Sequence, residues 1–349
     1  MILDLLYFVL TLGVIVCVHE FGHLIVAKRN GVYCYEFSIG MGPTLFKFYE
    51  DKTGTIYSIR ALPLGGFVKM AGEDFDELPS DGVELRDDQL LSNKKPLAKI
   101  RVLLAGSFMN IVLAVFIFTL LGFFTGVDSN SSKLTINDDT LLAEAGLVTG
   151  DKIIKLNETE VNTFTEVSMW HEDYIYELHL LEEPLELDID VTYLNQDDIE
   201  KTVNVTSVDQ TLEILNYVEY YRPFKAIGHG FTSTVSLIGY IFLSLAFLFG
   251  PEFGINDLAG PVGIFQMTSS ITDSGLVPAV MWVAFLSVNI GIVNLLPVPV
   301  LDGGRIVFAV YELIFRRKVN KKIEMYSLYI GAILLIGLTL VVTFNDITR

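Results

Sequence analysis

Cysteine is scarce in this sequence of 349 residues, which contains only Cys17 and Cys34. Two thiols cannot form the disulfide framework that stabilises small secreted domains. Basic residues are also few, with 24 Lys and Arg against 42 Asp and Glu. The resulting isoelectric point near 4.6 argues against a nucleic-acid-binding protein, which needs a basic face. Apolar residues, in contrast, make up 51% of the chain, and this content excludes an intrinsically disordered protein.

Long apolar stretches predict a polytopic α-helical membrane protein. The first stretch, residues 1–27, has no Lys or Arg before Lys28 and no small-residue cleavage site after it. This pattern favours a retained transmembrane helix over a secretory signal peptide. We predict three further spans and note one more apolar stretch: the spans are 100–124, 277–300 and 325–344, and the other stretch is 227–250.

Basic residues next to these stretches predict the orientation of the chain, because Lys and Arg mark cytoplasmic loops. Such clusters occupy 28–29, 94–101 and 316–322, whereas the acidic loop 251–275 has no Lys or Arg and is predicted to lie outside. The second span is predicted to end outside and the cluster 316–322 to lie in the cytoplasm, so the chain must cross the membrane an odd number of times between them. We therefore interpret 227–250 as an interfacial or re-entrant helix, which leaves four true spans. The alternative is five spans, with the segment 127–222 and the last basic cluster on one side.

The segment 127–222 carries most of the negative charge of the protein. It holds 22 acidic and 5 basic residues, no cysteine, and no apolar run long enough to span a membrane. Within it, residues 144–157 give a short helix end, a turn at Gly150–Asp151 and a strand. This pattern resembles the core of a PDZ domain of the bacterial protease type. A PDZ domain implies a peptide or a substrate ectodomain as ligand, bound by strand addition. The alternative is a small α/β domain with a common Gly-Asp turn.

An H-E-x-x-H motif lies near the end of the first span, at His19, Glu20 and His23. On a helix, residues i and i+4 lie on one face, so both imidazoles can bind one Zn²⁺ while Glu20 reaches a water on the metal. Two histidines and a glutamate in an apolar span are costly without a partner or a function. With a rise of 1.5 Å per residue, the histidines lie roughly 8–14 Å inward from Lys28. The motif therefore predicts a zinc site inside the membrane, towards the cytoplasmic leaflet.

Catalytic zinc usually takes three protein ligands, so a third ligand is expected at similar depth. His171, His179 and His229 are all predicted to lie outside. Asp302 is the better candidate, because it follows the fourth apolar stretch at its cytoplasmic end. Two prolines and the Gly303–Gly304 pair interrupt the helix there, and such irregular backbone is tolerated at membrane depth when it is buried in protein. The alternative for Asp302 is a simple helix cap at the interface.

These motifs and their order resemble the site-2 protease family of intramembrane zinc metalloproteases, in the bacterial branch that cuts anti-sigma factors and remnant signal peptides. The resemblance implies one zinc ion per chain, held by His19, His23 and Asp302, with Glu20 as the catalytic base. It also implies that Asn294, and less directly Asn289, hold the substrate or orient the site. The expected location is the bacterial inner (cell) membrane, with the PDZ domain extracytoplasmic. The expected partners are single-span membrane proteins and the lipid bilayer.

Two further stretches bear on this resemblance, residues 37–43 and 62–70. They resemble the Gly-rich turn and the membrane-associated β-hairpin of the family, within a predicted cytoplasmic region 28–99. An exposed strand edge there, with Gly65 and Gly66, is a candidate for binding an unwound substrate; a plain structural hairpin is the alternative. One departure is Ser107, where the family usually has Pro.

Two functions other than proteolysis are alternatives for this sequence. A PDZ-bearing membrane scaffold with an idle metal site would need a damaged motif, and the motif is intact. A metal transporter would need further polar residues along the helices towards the outer side, and Asp4 alone does not form such a path.

Overall fold

The structure, a computed structural model, forms two compact units. The first unit contains Met1–Thr119 and Gly230–Arg349, and the second contains Leu120–His229. The structure describes residues 2–73, 85–128, 132–137, 140–162, 167, 186–208, 215–216, 218–219, 223–247 and 258–348.

Long apolar helices dominate the described chain. The helices, in chain order, are α1 (Ile2–Arg29), α2 (Pro96–Thr125), α3 (Leu141–Glu144), α4 (Pro223–Phe247), α5 (Pro261–Asp273), α6 (Leu276–Asn294), α7 (Asp302–Phe315) and α8 (Lys321–Thr348). Two short 3₁₀ turns, Asp87–Gln89 and Leu91–Asn93, precede α2. Five of the helices are long and apolar enough to cross a membrane: α1, α2, α4, α6 and α8. The chain is therefore an integral membrane protein. The orientation of the helices, and the interfacial placement of α4, stay predictions.

Helix α5 lies inside the stretch 251–275, for which the sequence predicted only an acidic loop. Gly260 is its N-cap and Pro261 is its first residue, where the missing N–H of proline is no loss. The Asp346 carboxylate, near the end of α8, accepts the backbone N–H groups of Gly260 at 3.3 Å and Gly263 at 2.8 Å. A carboxylate at a helix N-terminus is stabilising, so a residue far away in sequence caps this helix.

The predicted span 277–300 ends earlier in the structure, at Asn294. Residues 295–301 form an irregular turn because Pro297 and Pro299 cannot donate helical hydrogen bonds. Helix α7 then begins at Asp302, and Gly303 lies directly against the turn. A Cβ on Gly303 would stand 2.2 Å from the Leu295 carbonyl oxygen, so only glycine permits this close approach. The turn fixes where Asp302 starts its helix.

Strands β1 (Cys34–Glu50) and β2 (Ile56–Met70) form an antiparallel sheet after α1. Register shifts divide the pairing of the two strands into parts, so the beginning of β1 has a neighbour on each side. Phe37 pairs with Val68 on one side and with Tyr57 on the other. The segment 66–70 therefore lies on one side of the beginning of β1 and next to α1. Leu45, Phe46 and Phe48 in the outer half of the hairpin are exposed apolar side chains, as expected of a segment in contact with lipid.

One ion pair fixes the register of this hairpin. Arg60 lies 2.9 Å from the Glu36 carboxylate, and Ser58 also donates to it. Partial burial raises the pKa of Glu36, but the hydrogen bonds from Arg60 and Ser58 outweigh burial, so the pKa lies below its ordinary value.

The second unit contains a four-stranded antiparallel sheet in the order β6-β5-β7-β8. Its strands are β5 (Lys152–Leu156), β6 (Thr159–Glu160), β7 (Glu186–Leu194) and β8 (Glu200–Val208). Two-residue strands form two further pairs, β3 (Val127–Asp128) with β10 (Val218–Glu219) and β4 (Leu134–Thr135) with β9 (Leu215–Asn216).

The described core of the second unit is apolar and includes Leu142, Ile153, Leu156 and Ile189. The Asp151 carboxylate accepts the Val148 N–H at 3.0 Å, which closes the predicted turn. Much of the region between β6 and β7, including His171 and His179, lies outside the described residues. The PDZ fold of 127–222 therefore stays a prediction.

Candidate metal centre

The two histidines of the motif lie one turn apart near the end of α1. Their side chains are buried, and their Nε2 atoms are 3.2 Å apart. This pairing follows from the helical spacing, since residues i and i+4 lie one above the other on the same face.

Asp302 completes the cluster from the first turn of α7. Its Oδ2 lies 3.1 Å from His19 Nε2 and 3.2 Å from His23 Nε2, although the residues are far apart in sequence. Ligand atoms bound about 2.0–2.2 Å from one tetrahedral zinc ion lie about 3.3–3.6 Å from each other, close to the distances seen here. The three atoms therefore fit a single zinc ion. Within the described ranges, this is the one group of three such side chains that fits a metal.

Helix α2 supplies the environment of both imidazoles. The Nδ1 of His23 lies 2.8 Å from the buried Val102 carbonyl oxygen, so Nδ1–H donates there and the Nε2 lone pair remains for the metal. On the other side, the Asn110 side-chain amide lies 3.4 Å from His19 Nδ1. Hydrogen bonds of this kind fix the tautomer and the ring orientation of histidines that bind metal.

Gly106 lies between these two positions and gives the metal centre its space. A Cβ at this position would stand 2.3 Å from His23 Nε2 and 2.6 Å from His19 Nε2. Gly106 and Asn110 were not predicted as site residues from the sequence. The small residues Ala105, Gly106 and Ser107 in an apolar helix were the available signal, because small residues mark close helix packing in membranes.

Glu20 lies next to the ligands and is held by the hairpin. Its Oε2 accepts the backbone N–H of Val68 at 3.1 Å. Glu20 and Val68 both line a cavity of about 220 Å³ that also contains His19, His23 and Asp302. The cavity therefore brings the carboxylate, the three ligand atoms and one segment of β2 together.

The other predicted site residues differ in their placement. Asn294, the last residue of α6, lines the cavity, whereas Asn289 is half-buried and is not among the described residues that line it. Five residues correspond to roughly 140° around a helix, so the two amides point to different sides. Gly65 has a φ of +78° and lies against Val16 of α1, and a Cβ on Gly66 would meet the Ser38 carbonyl oxygen at 2.5 Å. Both glycines thus have a structural requirement; substrate binding at them stays a prediction.

Known proteins are similar to this chain over nearly its whole length. Residues 7–338 match Peptidase family M50. The "Regulator of sigma-W protease RasP" of Bacillus subtilis is 32% identical, with 98% of this chain and 97% of the relative covered. The "Zinc metalloprotease RasP" of Bacillus licheniformis is also 32% identical, with 98% of each chain covered. A Clostridium perfringens relative is 36% identical over 98% of each chain.

These similarities extend over nearly the whole chain and include helices α1 and α7, which carry the candidate ligands. The chain belongs to peptidase family M50 and is a zinc metalloprotease.

Proposed function

We propose that His19, His23 and Asp302 are the zinc ligands and that this enzyme cleaves peptide bonds in the transmembrane segments of single-span membrane proteins. The observation that carries the proposal is the convergence of the three ligand atoms, 3.1–3.2 Å apart, from the end of α1 and the start of α7. The position of the histidines on an apolar helix supports a reaction site below the lipid surface.

Glu20 is the general base in this proposal. A zinc ion held by His19, His23 and Asp302 would supply an activated water and polarise the carbonyl of the scissile bond. Glu20 would accept the proton of the attacking water and return it to the leaving amine. Val68 holds the carboxylate through its N–H, so Glu20 is positioned before the substrate arrives.

The substrate binds as an extended segment, because a peptide bond inside a helix is shielded by its own hydrogen bonds. The segment 66–70 of β2 lies beside the cavity and, among the described residues, pairs with β1 on one side only. Its other edge can add a substrate strand. Asn294 lines the same cavity and is placed to hold the backbone of that strand.

The substrates we propose are anti-sigma factors or remnant signal peptides. The name of the Bacillus subtilis relative, which links that protein to sigma-W, favours the first class. The acidic unit at 127–222 is proposed to be an extracytoplasmic PDZ domain that binds a peptide or the substrate ectodomain, while the catalytic site faces the cytoplasmic leaflet of the bacterial cell membrane.

Replacement of the base tests the proposed chemistry. Glu20→Gln is expected to keep zinc and to lower cleavage of a reporter with one transmembrane segment by about 10²–10⁴-fold, measured in detergent. Glu50→Gln, an exposed carboxylate at the end of β1, is the control and should cleave normally. Wild-type cleavage rates in a zinc-loaded Glu20→Gln variant would contradict the role of Glu20.

A further inference from the structure

The side chain of Asn110 has a buried oxygen that lacks a partner. Asn110 is completely buried on α2, its Nδ2 lies 3.4 Å from His19 Nδ1, and its Oδ1 forms no hydrogen bond within the part of the chain that the structure describes. An unsatisfied buried oxygen next to a metal-binding histidine calls for a physical explanation, because such a group costs about 1–3 kcal/mol.

The protonation of His19 decides which end of the amide faces the ring. Its Nε2 points at Asp302 and at the second histidine, so Nε2 must hold the free lone pair when the metal is bound. The proton of the neutral ring then lies on Nδ1, which becomes a donor. This N–H cannot form a hydrogen bond with the amide NH₂, which is also a donor. The oxygen and the nitrogen of a side-chain amide have nearly the same size, so the amide can be turned by 180° in the same space. In that orientation Oδ1 accepts the hydrogen bond from Nδ1–H.

We infer that Asn110 accepts a hydrogen bond from His19 Nδ1–H and thereby fixes the ring with Nε2 towards the metal. Asn110 is a positioning residue, since it acts on the zinc through His19. The inference rests on the proposed role of His19 as a ligand and adds a specific support for it.

The same face of α2 supports the other histidine. Val102, Gly106 and Asn110 follow each other at intervals of four residues, so they form one stripe on the helix. The Val102 carbonyl oxygen accepts the hydrogen bond of His23, and Gly106 leaves space for both rings. The Asn110 amide lies next to His19 Nδ1. Each imidazole therefore has its own acceptor on α2, one from the backbone and one from a side chain.

A purely structural role for Asn110 is the competing explanation. Ser287 Oγ on α6 donates to the Asn110 backbone carbonyl at 2.9 Å, and a Cβ on Gly291 would stand 3.2 Å from the Asn110 Cβ. These contacts pack α6 against α2, but none uses the amide group. Ser287→Ala thus removes the packing bond and leaves the amide untouched, which makes it a matched control.

Zinc affinity and the visible spectrum of bound Co²⁺ test the inference in the full-length protein in detergent. Asn110→Leu removes the acceptor at similar size and is expected to weaken zinc binding by about 10–100-fold, measured by chelator competition, and to alter the Co²⁺ spectrum. Asn110→Asp keeps an acceptor oxygen and is expected to stay within about threefold of the wild type, as is Ser287→Ala. If the leucine variant does not fold, the smaller Asn110→Ala takes its place.

Three results would overturn the inference. Unchanged affinity and spectrum in the variant without an acceptor would do so, and so would equal losses in Asn110→Leu and Asn110→Asp. A loss in Ser287→Ala as large as that in Asn110→Leu would assign the effect to packing. Failure of the wild-type protein to bind zinc would instead remove the proposed metal site itself, so the two failures are distinguishable.

Discussion

At the scale of single residues, Gly106 provides the space that the proposed metal centre needs. The ring nitrogens of both histidines lie within 2.6 Å of the point where a Gly106 side chain would begin. No real Cβ contact is that short, so any side chain must displace an imidazole or push α2 away from α1.

Gly106→Ala is therefore expected to weaken zinc binding by roughly tenfold or more, as loss of ligand geometry does. The control is Gly337→Ala on α8, where a Cβ would meet nothing within 4 Å. Chelator competition measures both variants. Normal zinc affinity in Gly106→Ala would show that α2 does not approach the histidines as the structure has it.

Cys34 offers a residue-scale test of the packing between the hairpin and α1. Burial of the side chain raises the pKa of its thiol to about 12. Because the thiolate is the reactive form, a Cys17→Ser variant is expected to react with a thiol reagent at least about 100-fold more slowly when folded than when denatured. Fast labelling of the folded protein would mean that Cys34 is not buried.

At the scale of elements, the start of α7 carries the proposed third ligand, Asp302, and an ion pair anchors that helix. Lys99 on α2 lies 2.7 Å from the Glu312 carboxylate on α7, and both side chains are largely buried. Glu312→Gln is expected to destabilise the protein by about 1–3 kcal/mol, since a hydrogen bond between charged groups is lost. Unfolding followed with and without zinc measures the effect. A double-mutant cycle with Lys99→Met isolates the pair, and additive losses would show that the two side chains do not interact.

The hairpin gives a dependence of stability on pH. The folded pKa of Glu36 lies below its ordinary value of 4.5, so the Glu36–Arg60 pair contributes stability above pH 4.5. That contribution is lost as the pH falls through the folded pKa. Arg60→Gln is expected to lower stability at neutral pH, and its difference from the wild type should shrink below pH 4.5. A difference that does not change with pH would argue against the ion pair.

The elements also show what the sequence could and could not predict. The spacing of His19 and His23 predicted their shared face, and the depth of Asp302 predicted its approach to them. Helix α5 was not predicted, because the carboxylate that caps it comes from α8 and the sequence around α5 contains no such signal. Helix α7 was not predicted, because the two prolines before it and the two glycines in its first turn are typical of a loop.

Contacts between distant helices were the least predictable part of the site. Asn110 and Gly106 meet α1 only after folding, and one sequence does not report which helices are neighbours. Asn289 and Asn294 were grouped by the resemblance alone, and the helical period places only Asn294 at the cavity.

At the scale of the whole molecule, charge separates the chain into a lipid-embedded part and an acidic part. The acidic segment 127–222 and the acidic stretch 251–275 are both predicted outside, which requires α4 to begin and end on one side. Single cysteines introduced at Thr149 and at Asp273, in a background without Cys17 and Cys34, should both react with an impermeant thiol reagent added to intact cells. Labelling at Thr149 but not at Asp273 would support the alternative with five spans.

In the proposed site, one zinc ion is bound by two residues of α1 and one of α7, next to a base that is not a ligand. The zinc content of purified wild-type, Glu20→Gln and Asp302→Ala proteins, after dialysis against a weak chelator, tests this arrangement most directly. We expect about one zinc ion per chain in the first two proteins and a large loss in the third. Zinc retained in full by Asp302→Ala, or lost from Glu20→Gln, would contradict this arrangement.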